Sequence, residues 1–96
     1  MGGPDRRSVR VRIEGRVQGV GFRYWMESEC KGLGLTGWVR NRRDGGVEAV
    51  ISGDAELVEE TIDRCRRGPA GAKVTEVEVV GEEGGDYASF EIRPTT

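Results

Sequence analysis

Histidine is absent from this 96-residue sequence and cysteine is scarce, which narrows the chemistry open to its side chains. The two cysteines, Cys30 and Cys65, are too few and too far apart for a zinc knuckle or a disulfide framework. Metal chemistry is therefore not expected. Both cysteines recur at helical spacing with apolar residues, which favours small buried side chains over redox or nucleophilic roles. A disulfide between them would require two helices lying side by side.

Long apolar segments are also missing, since no run approaches the roughly 18 residues that a membrane span needs. The first residues, MGGPDRRS, are polar and lack the apolar core of a signal peptide. We expect residues 1–7 to form a disordered lead-in and residues 8–96 to form one domain, because a chain of this length supports a single core. These features predict a cytoplasmic protein with no membrane partner.

Charge is divided unevenly along the chain, although the net charge is only −2. Residues 1–43 contain ten Arg or Lys against four acidic residues, a net of +6, whereas residues 44–96 contain five against thirteen, a net of −8. This asymmetry favours an anionic ligand near the N-terminal half. Ordinary solvated surface charge is the competing interpretation.

Hydrophobic periodicity predicts a strand, a helix and a hairpin in the first half of the chain. Apolar and polar residues alternate from Ser8, as in a half-buried strand. Apolar residues then recur at helical spacing up to Gly34, where a glycine can end the helix. Two β-rich runs, 35–41 and 46–52, flank an Asp-Gly pair, which is a strong signal for an antiparallel hairpin.

The second half predicts a helix followed by one or two strands. Asp54 is a suitable N-cap for the helix. The next strand covers 74–80, and its alternation slips between Val74 and Val77, which indicates a bulge. Phe90 then marks either the end of one bent strand or a separate short strand. The order β-α-β-β-α-β predicts a ferredoxin-like α/β sandwich, an antiparallel sheet with two helices on one face.

The stretch GRVQGVGFR, residues 15–23, joins the first strand to the first helix. Glycines at positions 15, 19 and 21 permit positive φ, so that successive backbone N–H groups can surround an anion. The helix N-terminus adds further free N–H groups and the positive end of its dipole. Arg23, in the first turn, can bind phosphate oxygens with two donors. The stretch is neither a P-loop nor a dinucleotide motif, and a tight structural connection is the alternative.

Asn41 closes the segment GWVRN before the hairpin turn. Its carboxamide can donate and accept hydrogen bonds at once, which is what positioning a water molecule requires. An asparagine at the end of a strand is also a common turn former, so its position alone supports both interpretations.

These segments together resemble the acylphosphatases. GRVQGVGFR is similar to that family's phosphate-loop signature, and GLTGWVRNRRDGGVE, residues 34–48, is similar to its second signature. Weaker similarity extends through GPAGAKVTEVEV, residues 68–79, to FEIR, residues 90–93. The resemblance implies the ferredoxin-like fold and an enzyme that hydrolyses acyl phosphates to a carboxylate and inorganic phosphate, with no metal and no cofactor.

The resemblance also assigns roles to individual residues. It implies that Arg23 binds the phosphoryl oxygens and that Asn41 orients the attacking water. It further implies that the phosphoryl group is cradled by the loop backbone of Gly15, Arg16, Val17, Gln18, Gly19, Val20, Gly21 and Phe22.

Two other functions fit the same order of strands and helices. An RNA-binding module would carry aromatic residues on its central strands, but VRVRIE and GVEAVIS have none, so no nucleic-acid partner is expected. A non-catalytic anion-binding or regulatory module, such as the acylphosphatase-like domains found within larger proteins, is the second alternative. The presence of both Arg23 and Asn41 favours a free-standing enzyme, which we expect to act as a monomer.

Overall fold

The computed structural model describes residues 5–96, and within this range it contains five strands and two helices. The elements in chain order are β1 (Arg6–Arg16), α1 (Phe22–Gly32), β2 (Thr36–Asn41), β3 (Val47–Asp54), α2 (Ala55–Cys65), β4 (Lys73–Glu82) and β5 (Phe90–Ile92). The strands form a single sheet in the order β4-β1-β3-β2-β5. Both helices pack on one face of this sheet, as the sequence predicts for a ferredoxin-like sandwich.

The inner strand β1, which lies between β4 and β3, is longer than its predicted form. It begins at Arg6, because β3 extends to Asp54 and offers hydrogen-bonding partners to Arg6 and Arg7. The carbonyl of Asp5 also accepts a hydrogen bond from the N–H of Ala55 at 2.9 Å. The predicted disordered lead-in over 1–7 is therefore too long. Its first four residues lie outside the described part of the chain.

The sheet is mixed rather than wholly antiparallel. β2 and β3 form the predicted antiparallel hairpin, whose turn is closed by the Asp44 carboxylate accepting from the N–H of Gly46 at 3.0 Å. β4 and β5 are separate strands on opposite edges, and β5 runs parallel to β2, with Phe90 opposite Gly37. This parallel pair corrects the sequence-based prediction, because a three-residue strand carries no local signal of its distant partner.

Local signals at the helix ends are confirmed. The N–H of Leu35 donates to the carbonyl of Cys30 at 2.8 Å, and Gly34, with a φ of +72°, provides the left-handed turn that ends α1. The Asp54 carboxylate accepts hydrogen bonds from two N–H groups of the first turn of α2. The bulge predicted in β4 is also present, because the pairing of β4 with β1 passes from Glu76 to Val74 and leaves Thr75 unpaired.

The core lies between the two helices and the sheet. Its buried apolar side chains are Val9, Val11, Ile13, Val17, Phe22, Met26, Cys30, Leu35, Val39, Val47, Ala49, Ile51, Val58, Ile62, Cys65 and Phe90. The two cysteines are free, and burial raises the pKa of Cys65 to about 12 and raises the pKa of Cys30 as well. Both thiols therefore remain protonated near neutral pH, consistent with a packing role. Of the helices described, neither is long and apolar enough to cross a membrane.

The other face of the sheet carries a charged group that fixes the hairpin, which we call the Glu48 cluster: Glu48 with Arg10, Arg40 and Arg42. The Glu48 side chain is only 6% exposed, and N–O distances of 2.8, 2.9 and 3.3 Å join its carboxylate to the three arginines. The Arg40 guanidinium also lies over the ring of Trp38, 4.7 Å from its centroid. The cluster binds β1, β2 and β3 together beside the end of β2, where Asn41 lies.

Replacing Glu48 with glutamine is expected to lower the free energy of unfolding by about 2 kcal/mol at pH 7. Removing one partner of a buried ion pair costs about 3–5 kcal/mol, and the partial exposure of the arginines reduces this value. Burial by itself raises the pKa of Glu48, but the hydrogen bond from Arg40 and the nearby positive charges outweigh it, so the net pKa is lowered.

This lowered pKa sets the pH dependence of the effect. The stabilisation by Glu48 is fully present above the pKa of an unfolded glutamate, about 4.3, and is lost as the pH falls through the lower folded value. In urea unfolding, the free energies of the wild type and Glu48→Gln should therefore differ strongly at pH 7 and only slightly at pH 3. The control is Glu91→Gln, an exposed glutamate whose loss should change stability by less than about 0.5 kcal/mol. An equal loss at both pH values would contradict the electrostatic explanation.

Candidate active site

A cleft of about 200 Å³ opens at the N-terminus of α1. It is lined by Val17, Gly19, Gly21, Phe22, Arg23, Tyr24 and Asn41. Asn41 reaches this cleft because α1 packs on β2, the strand that Asn41 ends. The fold therefore brings together the two residues, Arg23 and Asn41, that the sequence predicts as catalytic.

The glycines of the loop serve two different purposes. Gly19 and Gly21 have φ values of +75° and +78°, and a Cβ at either position would meet no atom within 4 Å. These two glycines are needed for their backbone conformation, which is the one that a loop of anion-binding N–H groups requires. Gly15 lies in β1, where a Cβ would stand 2.1 Å from the carbonyl oxygen of Lys73. Its missing side chain therefore permits the close approach of β4.

Among residues 5–96, no side chain caps the N-terminus of α1. Gly21 is the N-cap residue, and no acidic residue occupies the first turn of the helix. The first helical bond runs from the N–H of Trp25 to the carbonyl of Gly21 at 2.9 Å, so the preceding N–H groups have no acceptor within the helix. α2 differs, because Asp54 caps it and Glu56 lies in its first turn. The free end of α1 is thus electrostatically suited to an external anion.

Arg23 is similarly free to bind an anion. Its side chain is half-buried and lines the cleft, and it makes no ion pair or side-chain hydrogen bond with any residue from 5 to 96. Other half-buried arginines of the protein are paired, as Arg12 is with Glu14 and Asp44. An unpaired guanidinium beside a free helix N-terminus provides two sources of positive potential in one place.

Gln18 holds the loop against the hairpin. Its side-chain Nε2 donates to the carbonyl oxygens of Arg42 at 2.7 Å and Gly46 at 2.8 Å. Both acceptors belong to the turn that follows Asn41, so this side chain fixes the distance between the loop and the end of β2. Its carboxamide nitrogen is therefore used for support of the site rather than turned toward the cleft.

The predicted phosphate loop is only partly represented in the lining of the cleft. Among its residues, Val17, Gly19, Gly21, Phe22 and Arg23 line the cleft. Gly15 and Arg16 end β1, Gln18 supports the hairpin, and Val20 packs against the core. Contact of these four with a phosphoryl group stays a prediction.

Tyr24 lines the cleft and was not singled out from the sequence. It follows Arg23 on the first turn of α1, and its side chain is 67% exposed. Helical periodicity places position 24 outside the apolar stripe of α1, which is the signal that an aromatic residue there is not part of the core. Within residues 5–96, no group of three or more Cys, Asp or Glu side chains is arranged to hold a metal ion.

Comparison with known proteins gives consistent results. The family model described as Acylphosphatase matches residues 9–92. A protein named acylphosphatase from Mesorhizobium japonicum is 57% identical over 74 residues, which covers 77% of this chain and 79% of that protein. Another, from Rhizorhabdus wittichii, is 48% identical over 92 residues, covering 96% and 93% of the two chains. The crystal structure of acylphosphatase from Bacillus subtilis superposes with a TM-score of 0.84 at 35% identity, covering 90% of this chain and 97% of that one.

The fold and the cleft define a small α+β protein with a site suited to an anion. With the sequence similarity added, the assignment becomes specific: the chain belongs to the acylphosphatase family. The predictions of this family, of its ferredoxin-like fold and of an enzyme, an acylphosphatase, are thereby confirmed.

Proposed function

We propose that this protein hydrolyses acyl phosphates through the cleft at the N-terminus of α1. The phosphoryl group lies against the backbone N–H groups of the loop, Arg23 binds its oxygens, and Asn41 orients the attacking water. One observation carries this proposal: an uncapped helix N-terminus, an unpaired arginine and a carboxamide all border one small cleft.

The chemistry of the proposed reaction fits the few side chains available. Water attacks phosphorus, the bond between phosphorus and the acyl oxygen breaks, and the carboxylate leaves with the bonding electrons. The conjugate acid of that leaving group has a pKa of roughly 4–5, by analogy with side-chain carboxyls, so no general acid is needed near pH 7. Phosphoryl transfer depends mainly on positioning and on electrostatic stabilisation, which N–H groups and one guanidinium supply.

The proton of the attacking water also needs an acceptor. Among the residues that line the cleft, none is a carboxylate or another basic group suited to this task. We infer that an oxygen of the phosphoryl group itself accepts this proton, so that inorganic phosphate forms directly. A pH–rate profile that required a side-chain base would contradict this step.

The proposed mechanism requires neither a metal nor a cofactor, because N–H groups and Arg23 stabilise the phosphoryl charge. We further propose that the enzyme acts as a monomer in the cytoplasm on small molecules, without a nucleic-acid or membrane partner. Large apolar side chains on the described surface are few, namely Tyr24, Val79 and Val80, which supports a monomer.

The test is hydrolysis of benzoyl phosphate in the presence of a chelator, measured as phosphate released. The wild-type protein should turn over, and Asn41→Ala should lower kcat on the order of 10²-fold with little change in KM, because orienting water affects the transition state more than substrate binding. Thr36→Ala, at the other end of β2, is the matched control and should retain wild-type activity.

Each contrary result has a definite meaning. An inert wild-type protein that still binds inorganic phosphate would identify a non-catalytic anion-binding module. Full activity of a correctly folded Asn41→Ala protein would make Asn41 a turn former only.

A further inference from the structure

The exposed ring of Tyr24 has no structural explanation in the packing of the protein. Its side chain is 67% exposed, whereas the other two large apolar residues exposed on the described surface, Val79 and Val80, are 40% and 43% exposed. Those two valines lie on the edge strand β4, while Tyr24 borders the cleft. Its hydroxyl makes no hydrogen bond with residues 5–96.

The other residues that line the cleft leave Tyr24 as its outer apolar surface. Val17 and Phe22 are buried, with exposures of 1% and 2%, and so form the inner wall. Gly19 and Gly21 offer backbone only, and the remaining lining residues are polar. A ligand whose anionic end occupies the inner cleft must extend its other end past this rim.

We propose that the ring of Tyr24 binds the acyl group of the substrate and makes the enzyme prefer acyl phosphates with an aromatic or large apolar acyl part. This inference rests on the proposed function and adds the substrate class to it. Because Arg23 and Tyr24 line the same cleft of about 200 Å³, a phosphoryl group held by Arg23 places its acyl substituent within reach of the Tyr24 ring. The exposed ring can then stack on an aryl group, whereas a methyl group is too small to cover it.

The inference is tested by comparing benzoyl phosphate with acetyl phosphate. The measured quantity is the ratio of kcat/KM for the two substrates, in the wild type, Tyr24→Ala and Tyr24→Phe. An aromatic contact contributes roughly a 3- to 10-fold change in affinity. We therefore expect Tyr24→Ala to lower the ratio by this factor, mainly through a higher KM for benzoyl phosphate. Tyr24→Phe keeps the ring and should behave as the wild type.

Two results would overturn the inference. One is an unchanged ratio in Tyr24→Ala, which would show that the ring does not contact the acyl group. The other is an equal loss with both substrates, which would show that Tyr24 acts on the phosphoryl end that they share.

A binding measurement separates this inference from the proposed function. If the wild type hydrolyses neither substrate, the proposed function fails, but calorimetry with benzylphosphonate and methylphosphonate still tests the ring. Tighter binding of benzylphosphonate that disappears in Tyr24→Ala would support a contact between Tyr24 and the substituent. If benzylphosphonate and methylphosphonate bound with equal affinity to the wild type, and also to Tyr24→Ala, this contact would be refuted.

Discussion

Replacing Arg23 with alanine is expected to lower kcat/KM for an acyl phosphate by on the order of 10²–10³-fold while leaving the fold intact. Among the residues that line the cleft, Arg23 carries the only charge. Its guanidinium has no partner within the described chain, so its loss leaves no buried charge unpaired and should affect stability little. Removing one donor that stabilises a transition state typically costs this much activity.

Controls distinguish charge from geometry at this position. Arg23→Lys keeps the charge but loses the planar pair of donors, and should retain an intermediate activity. Arg6→Ala removes an exposed arginine that has no ion pair among the described residues and lies at the far end of β1 from the cleft. It should stay within twofold of the wild type. Initial rates of phosphate release, with circular dichroism to verify folding, provide the measurement. A folded Arg23→Ala protein within tenfold of wild-type activity would remove Arg23 from the proposed mechanism.

Replacing Gly37 with alanine should destabilise the protein strongly, by about 3–4 kcal/mol. A Cβ at this position would stand 1.9 Å from the carbonyl oxygen of Val50, and the φ of +133° is one that side-chain-bearing residues rarely adopt. The backbone of β2 cannot shift to relieve this clash, because it is hydrogen-bonded on both sides. Gly37 pairs with Ile51, and its N–H donates to the carbonyl of Ser89 at 3.1 Å. The total free energy of unfolding of a small domain is about 5–15 kcal/mol. This substitution would therefore remove a large fraction of the protein's stability.

Urea unfolding measures this effect, and a second glycine provides the control. Gly32 ends α1 and has no positive φ, and a Cβ added there would meet no atom within 4 Å. Gly32→Ala should therefore be neutral or stabilise by up to about 1 kcal/mol. If the free energy of unfolding of Gly37→Ala were within about 1 kcal/mol of the wild-type value, the close approach of β3 would not be the reason for glycine at this position.

Gly37 and Asn41 have different roles within the segment GLTGWVRN, residues 34–41. Gly37 lies in β2 away from the cleft, and its contacts are with strands on either side. Asn41, at the end of the same segment, is the residue that reaches the cleft. One signature thus combines a residue required by packing with a residue placed at the site.

Much of the architecture follows from local patterns in the chain. The alternation of Val9, Val11 and Ile13, the Asp54 cap and the Gly34 terminus each depend on residues close in sequence. Strand and helix periods and turn conformations arise from covalent geometry and short-range hydrogen bonds, so a single sequence is sufficient to predict them. The glycine-rich loop, the start of α1 and Arg23 are also adjacent in the sequence, so their proximity could be predicted in the same way.

Other features depend on partners far away in the chain. The burial of Glu48 could not be predicted, because a glutamate in an alternating strand indicates a solvent-facing position until three arginines from two other strands and the hairpin turn are brought around it. The parallel pairing of β5 with β2, the support that Gln18 gives to the hairpin and the different roles of Gly15 and Gly19 are of the same kind. Such contacts join segments that are separated by many residues. They are determined by the total free energy of packing rather than by local preferences, so a short stretch of sequence does not predict them.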